Sequence, residues 1–373
     1  MGCAIIGCGK ALPSLNIAND DFIQLVDTND EWITKRTGIK SRCMATEQTN
    51  VDLAEIASRQ ALGWDDETAG GYSERRIAPE EIDLIIYSSV TPDTIVPSSA
   101  SLLKRRLGLP NAVAFDINAA CTGFVYGMAV VESLLSASAP STANAQTRNP
   151  YRRALVIGSE RLTRITNWQD RATCVLLGDG AGAAVVEYSE DRLGILATYL
   201  VNDDDFDNAL SCPMSFDSKP PFDEHGVSQE VIDALDPSLA LIDEEIGIKE
   251  DVEQGRARQL LYMHGQRVFK FASKAMGRAI DAVCERSGIP VEEIKCIVPH
   301  QANERIIKFA AKRCGLPLEC FQVSIAERGN SSSACVPMAL ADAYESGRIQ
   351  PGDKVILVAF GGGFTSGAVL FEA

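Results

Sequence analysis

Ile77-Ala78-Pro79-Glu80-Glu81-Ile82 returns in the second half of the chain as Ile289-Pro290-Val291-Glu292-Glu293-Ile294, and each copy runs directly into a hydrophobic strand. The echo continues downstream, where Lys104-Arg105-Arg106-Leu107-Gly108-Leu109-Pro110 resembles Lys312-Arg313-Cys314-Gly315-Leu316-Pro317. Each of these leads to a strand and then to a small-residue loop that opens a helix. Self-similarity of this kind implies two halves of similar topology. The loops are Asn118-Ala119-Ala120-Cys121-Thr122-Gly123 in the first half and Arg328-Gly329-Asn330-Ser331-Ser332-Ser333 in the second. Duplicated halves would bring both helix N-termini to one central site, an expectation that fails if the two loops lie on opposite faces.

Around the repeat, strand-like runs at 4–7, 84–87 and 113–117 alternate with helical patterns at 51–62, at 98–106 and from Cys121 onward. Such alternation predicts an α/β protein with buried parallel strands covered by helices. The chain divides into a first half over 1–200, an inserted acidic segment over 203–259 and a second half over 260–373. The insertion opens with Asp203-Asp204-Asp205, is interrupted by Pro220-Pro221 and carries Asp243-Glu244-Glu245. A Ser/Ala/Thr-rich stretch at 136–149 reads as an exposed or partly disordered loop.

The 373 residues suffice for two to three domain-sized units, and 46% hydrophobic with 23% charged residues excludes collagen-like, mucin-like and disordered chains. Lys and Arg number 35 against 51 Asp and Glu, a net charge of −16 that repels phosphate backbones and anionic bilayers. Nucleic acid and membrane are therefore not expected partners. The eleven cysteines form no C-x-x-C pair and no zinc spacing with histidine, which predicts reduced thiols in a cytoplasm and no structural metal. Met1-Gly2-Cys3-Ala4-Ile5-Ile6 has neither a basic export region nor a myristoylation serine, and the uncharged run 355–371 holds four glycines, so it reads as two strands around a turn.

Of three histidines, at 225, 264 and 300, His300 is the best placed, at the C-terminal end of a strand where open α/β sheets build sites. A polar loop histidine is the plainer alternative. Cys121 sits where a strand turns into a helix whose unpaired N–H groups would favour a thiolate, although most cysteines simply pack. Asn330 alone would be a helix cap. A thiol, an imidazole and a carboxamide at loop ends of a duplicated fold together suggest a catalytic constellation. Gly361-Gly362-Gly363 would let backbone N–H groups reach an oxyanion, or is a plain turn. Gly178-Asp179-Gly180-Ala181-Gly182 and Gly7-Cys8-Gly9 complete no nucleotide-phosphate motif. Arg305, Lys308, Lys312 and Arg313 share one helical face, a basic stripe that stands against the chain's acidic average and could dock an acidic partner.

These motifs resemble the β-ketoacyl-acyl carrier protein synthase III family of thiolase-fold condensing enzymes over nearly the whole chain. Trp32-Ile33-Thr34-Lys35-Arg36-Thr37-Gly38-Ile39, Ala119-Ala120-Cys121-Thr122-Gly123-Phe124 and the glycine motif at 178–183 appear in family order. His300-Gln301-Ala302-Asn303, Gly329-Asn330-Ser331-Ser332 and Phe360-Gly361-Gly362-Gly363-Phe364 follow. The resemblance implies two duplicated βαβαβαββ halves in a five-layered αβαβα core. It implies a catalytic triad of Cys121, His300 and Asn330, an oxyanion hole from the N–H groups of Cys121 and Gly362, and coenzyme A contacts at Trp32, Arg36, Thr37, Arg171 and Asn303. It further implies an acyl pocket lined by Val96, Leu162, Leu177 and Phe360, and carrier-protein docking at Lys270, Arg305, Lys312 and Arg313.

By the same resemblance, Cys121 takes an acyl group from acyl-CoA, and malonyl-acyl carrier protein then loses carbon dioxide beside His300 and Asn330 to give the carbanion that attacks the acyl-cysteine. The reaction would start fatty-acid synthesis, in a homodimer, with no metal, nicotinamide or flavin cofactor. Val96 and Leu177 imply tolerance of primers longer than acetyl. Segments 65–76, 136–149 and 203–259 look longer than in typical members. The alternative is a specialised-metabolism homologue that condenses or transfers acyl groups onto a small-molecule acceptor with the same triad. Ser89, where hydroxymethylglutaryl-CoA synthases carry glutamate, weighs against that cousin. A non-catalytic acyl-CoA-binding paralogue would not need Cys, His and Asn, and a papain-like hydrolase does not fit the duplicated halves.

Overall fold

The computed structural model describes residues 1–65, 70–138, 151–213, 222–223, 226–227 and 260–373. Nearly all of the loop expected at 136–149, and most of the acidic segment 203–259, lie outside the described residues. The chain forms one compact unit from Met1–Ser211 with Tyr262–Ala373 and another from Cys212–Leu261. In the second, the described residues include a short antiparallel pair, Phe222–Asp223 with Gly226–Val227.

In the first sheet lie β1 (Gly2–Ala11), β2 (Leu84–Ser88), β3 (Val113–Ile117), β4 (Arg153–Arg161) and β5 (Asp179–Ser189), in the order β1-β5-β4-β2-β3. Tyr72–Ser73 adds a short edge beyond β1. The second sheet orders β6 (Ile195–Asn202), β7 (Ile294–Pro299), β8 (Lys354–Gly361) and β9 (Thr365–Glu372) as β6-β9-β8-β7. Both sheets run antiparallel, antiparallel, then parallel from the β1 or β6 end. A parallel bridge from Ile297 to Phe321 occupies the place that β3 holds in the first sheet. The repeat in the sequence is therefore a repeat of topology.

Three apolar clusters separate five layers. On one face of the first sheet, α1 (Asn50–Ala61) and α2 (Ser99–Leu107) bury Val51, Leu53, Ala57 and Leu103 against Ile85, Leu155, Ile157 and Val185. Between the sheets, α3 (Gly123–Ser138) and α6 (Cys335–Glu345) bury Phe124, Met128, Val131, Val336 and Leu340 against Ile86 and Val156 on one side and Val298, Leu357 and Val369 on the other. Beyond the second sheet, α4 (Gly265–Ser287) and α5 (Glu304–Cys314) bury Met276, Ile280, Ile306 and Ile307 against Ile297, Ile356, Val358 and Leu370. Strands covered on both faces must be apolar throughout, which is why β2, β4 and β8 are almost wholly buried. The same constraint makes α3 apolar. By length and composition its stretch Ala120–Ala137 could cross a membrane, yet half of it is buried inside this protein.

Local signals set the element ends. Thr49 Oγ1 accepts the Asp52 N–H while the Asp52 carboxylate accepts the Thr49 N–H, a reciprocal cap that starts α1. Ser98 caps α2, and Gly108 ends it in the left-handed conformation.

The halves meet at their elbow turns. Gly158 on β4 lies so close to the second elbow that a Cβ there would sit 2.3 Å from the Ser333 carbonyl oxygen. Replacing Gly158 with Ala is expected to cost about 1–3 kcal/mol, because backbone must move to relieve the overlap. Gly265→Ala, where no heavy atom lies within 4 Å, serves as the neutral comparison. Chemical denaturation of both variants checks this; equal stability would mean the halves are less tightly fitted here.

Candidate active site

Cys121 is the middle residue of a single 3-10 turn, Ala120–Thr122, that precedes α3, so the helix proper begins at Gly123, slightly later than the sequence suggests. The second half repeats the device with Ser332–Ala334 ahead of α6. Ala120 and Ser332 hold φ values of +48° and +47°, a strained conformation for residues with a Cβ that costs about 1–3 kcal/mol each and recurs at functional turns. Asn118 and Asn330, at equivalent places in the repeat, perform the same local task. Their Oδ1 atoms accept the N–H groups of Ala120 at 3.2 Å and Ser332 at 2.9 Å. The two turns pack together rather than on opposite faces, and the Ser332 side chain lowers the pKa of the Cys121 thiol.

His300 enters directly from β7. Its N–H donates to the Val358 carbonyl at 2.8 Å, its ring is 1% exposed, and it stands edge-on to Phe360 with centroids 5.1 Å apart. Phe360 precedes Gly361, whose Cα abuts the Cys121 N–H; a Cβ there would lie 2.8 Å from that nitrogen. The Asn330 loop is tied to the next residue after the histidine, Gln301, through Cys335. The Cys335 sulfur lies 3.9 Å from the Gln301 carbonyl and 3.8 Å from Asn330 Oδ1, and it accepts the Ser331 N–H at 3.1 Å. On the other side Asn330 is fixed by backbone bonds to Leu176 and Gly178. Arg328, just before it, forms a two-pronged ion pair with Asp342 that Lys10 shares. The thiol, imidazole and carboxamide thus converge from three elements of a duplicated fold.

The electrostatics differ from the expectation at Cys121. Burial pushes the thiol up to about 11, the Ser332 hydroxyl lowers it, and the Glu160 carboxylate raises it. Burial is the largest of these influences and favours the thiol over the thiolate at this half-buried residue. Burial also drives His300 down to about 3, which leaves a neutral imidazole whose Nδ1 has no partner among the described residues. A neutral imidazole and a carboxamide are hydrogen-bond donors without charge, suited to a developing oxyanion.

The expected outer residues fall into groups. Trp32 is half-buried, with the Arg36 guanidinium 4.6 Å and that of Arg171 4.7 Å from its ring centre, and Arg171 also donates to the Asp27 carbonyl at 2.7 Å. Thr37 is buried and its hydroxyl is spent on the Ile33 carbonyl and the Ile39 N–H. Asn303 caps α5 through the Arg305 N–H and holds the Arg36 carbonyl at 3.0 Å. Thr37 and Asn303 thus brace, from behind, the end of the helix Asp30–Thr37 that carries Trp32 and Arg36. Leu162, Leu177 and Phe360 are buried, and Leu177 bridges to Asn330. Val96 is 84% exposed, so within one chain it lines no pocket. Gly362 sits beside Ala120, whose Cβ a side chain there would meet at 3.6 Å. Lys270, Arg305, Lys312 and Arg313 are carried on α4 and α5, with Arg313 paired to Asp281 and Arg305 over Phe269.

Sequence reasoning missed Ser332, Cys335 and Glu160. The offset of the repeat carried the signal for the first, since it sets Ser332 against Ala120. Nothing in the sequence singled out Glu160, which is fully buried and collects hydrogen bonds from both halves.

Residues 115–204 match the 3-oxoacyl-acyl carrier protein synthase III family, and residues 284–373 match the C-terminal region of the same enzymes. A β-ketoacyl-acyl carrier protein synthase III of Xanthomonas campestris is 41% identical over 99% of this chain and 97% of its own length. The Clostridium acetobutylicum enzyme of that name is 36% identical over 99% and 98%. The crystal structure of 3-oxoacyl-acyl carrier protein synthase III from Aquifex aeolicus superposes with a TM-score of 0.79 at 35% identity, covering both chains completely. With the thiol, imidazole and carboxamide already gathered at the junction of two thiolase-type halves, the chain belongs to the β-ketoacyl-acyl carrier protein synthase III family.

Proposed function

We propose that this condensing enzyme starts fatty-acid chains by joining an acyl-CoA primer to malonyl-acyl carrier protein through an acylated Cys121. The observation that carries this reading is the convergence of a half-buried thiol with a neutral imidazole and an amide at the junction of the two elbows. In the first half-reaction Cys121 attacks the primer thioester, losing its proton as the bond forms. The N–H groups of Cys121 and Gly362 then stabilise the tetrahedral oxyanion. In the second, His300 and Asn330 Nδ2 donate to the malonyl thioester oxygen and stabilise the enolate left by loss of carbon dioxide. That carbanion attacks the acyl-cysteine and frees the thiol. Asn330 Oδ1 is occupied by the Ser332 N–H, which leaves Nδ2 as the end of the amide available to substrate. The chemistry calls for no metal, nicotinamide or flavin.

Trp32 and Arg171 would take the adenine of coenzyme A between them once Arg171 lifts from the ring, and the cations of α4 and α5 would meet the acidic carrier protein. Exposed Ile95 and Val96, with the half-exposed edge strand β3, support a homodimer in which a second copy covers them. The reading places the enzyme in the cytoplasm.

Intact-protein mass after exposure to acetyl-, branched and medium-chain acyl-CoA tests the reading. An acyl adduct on wild type and none on Cys121→Ala, discharged by malonyl-acyl carrier protein as a ketoacyl product, is expected, with primers longer than acetyl accepted. No adduct with any acyl-CoA would reject it, and an adduct that persists would favour a small-molecule acceptor. Arg171→Ala is expected to raise KM for acyl-CoA about five- to ten-fold with kcat nearly unchanged, the size of a partly desolvated cation–π contact. Because His300 stays neutral down to about pH 3, the decarboxylation rate should show no acid limb near 6.5. The unfolded chain takes up that proton first, so the neutral His300 costs the fold nothing above about pH 6.5 and progressively destabilises it as the pH falls towards 3. A pH–rate profile with a limb near 6.5 assigned by His300→Ala would contradict the neutral imidazole.

A further inference from the structure

The two halves carry two elbows, and only the first carries a nucleophile. The offset that relates Ile77 to Ile289 also sets Ser333 at the position of Cys121, Asn330 at that of Asn118 and His300 at that of Ser88. The strands that follow align through their pairing. Ile85 pairs with Leu155, and its counterpart Ile297 pairs with Ile356, so Leu155 matches Ile356 and, counted onward along β4 and β8, Glu160 matches Gly361. At Gly361 the missing side chain leaves the Cys121 N–H uncovered; a Cβ there would be 2.8 Å from it. At Glu160 the side chain is present and fills the twin of the active site.

Glu160 is fully buried. Oε1 accepts the Ser333 hydroxyl at 2.7 Å, Oε2 accepts the Thr91 hydroxyl at 2.7 Å and the Ser89 hydroxyl at 3.1 Å, and both oxygens share the Val90 N–H. Burial raises the carboxyl's pKa, and each of these donors pulls it back. The Val90 N–H can only donate, and the three hydroxyls can turn their hydrogens towards the oxygens, so these partners favour the carboxylate against the burial that opposes it. Among the described residues it takes part in no salt bridge. The titratable groups that feel its charge include Cys121, Cys335 and Tyr87. Ser89, Val90 and Thr91 belong to the loop after β2 and Ser333 to the second elbow, so the carboxylate clamps the halves together next to Ser332, on the turn that packs against the Cys121 turn.

We propose that Glu160 is a positioning residue for condensation: its carboxylate, clamped between residues 89–91 and Ser333, holds the Ser332 turn against Cys121 and presents a fixed negative charge to that thiol. The inference rests on Cys121 being the nucleophile, and its readout does not depend on which acyl acceptor is used.

The test is the pH profile of iodoacetamide alkylation at Cys121, followed by peptide mass mapping on the intact enzyme. Glu160→Gln removes the charge and should move the profile to lower pH by about half a unit or more, roughly a three-fold faster reaction at about pH 8. Glu160→Asp, which restores the charge, should return it toward wild type. Identical profiles for wild type and Glu160→Gln would overturn the proposal, even if the variant were less stable. Should Glu160→Gln fail to fold, Ser333→Ala cuts only the clamp and keeps the charge. It should lower kcat for condensation about ten-fold at unchanged KM, with the alkylation profile retained. An unchanged kcat in Ser333→Ala would overturn the positioning role.

Discussion

Two backbone approaches hold this molecule together at its centre: Gly158 against the Ser333 carbonyl and Gly361 against the Cys121 N–H. Neither leaves room for a methyl group. Both lie where a strand of one half passes under the elbow of the other, so each half supplies the floor on which its partner's turn is built. The strain at Ala120 and Ser332 survives because these contacts over-determine the turns. Everything the site does depends on that fit. It packs the two elbow turns against each other, and at Gly361 it leaves the N–H of Cys121 uncovered by any side chain.

Burial then decides the charge state. In water a cysteine at a helix N-terminus leans towards thiolate, and a histidine near it towards imidazolium. Here the five-layered packing buries His300 fully and Cys121 in part. Burial is the largest influence on each, and it favours the neutral form of both. The carboxyl beside them is Glu160, whose charged form burial opposes and the surrounding hydroxyl and N–H groups favour.

The duplication was legible in Ile77-Ala78-Pro79-Glu80-Glu81-Ile82 and its echo, and the sheet order follows from it. Cys121, His300, Asn330 and the Gly361 run were visible because turns and strand ends carry distinctive small or polar residues. Charge state was not legible, since it depends on how many layers cover a residue and not on its neighbours in the chain. Thr37 and Asn303 show a second limit: a hydroxyl or amide beside a binding motif looks the same whether it faces a ligand or caps a helix. Val96 shows a third: read as lining a pocket, it stands exposed on this chain, because exposure is set by the fold around a residue and not by its type. Ser332 was a different matter, recoverable from the repeat by anyone who laid Ala120 beside it.

A cysteine that rests as a half-buried thiol has a chemical consequence of its own. Peroxides and other oxidants attack sulfur as the thiolate, and susceptibility follows thiolate content and exposure. Raised to about 11, Cys121 holds very little thiolate at neutral pH, whereas an activated cysteine of a protease holds it permanently. A sulfur held in this way offers such oxidants little standing reactivity, a durability that follows from burial and not from any reductant.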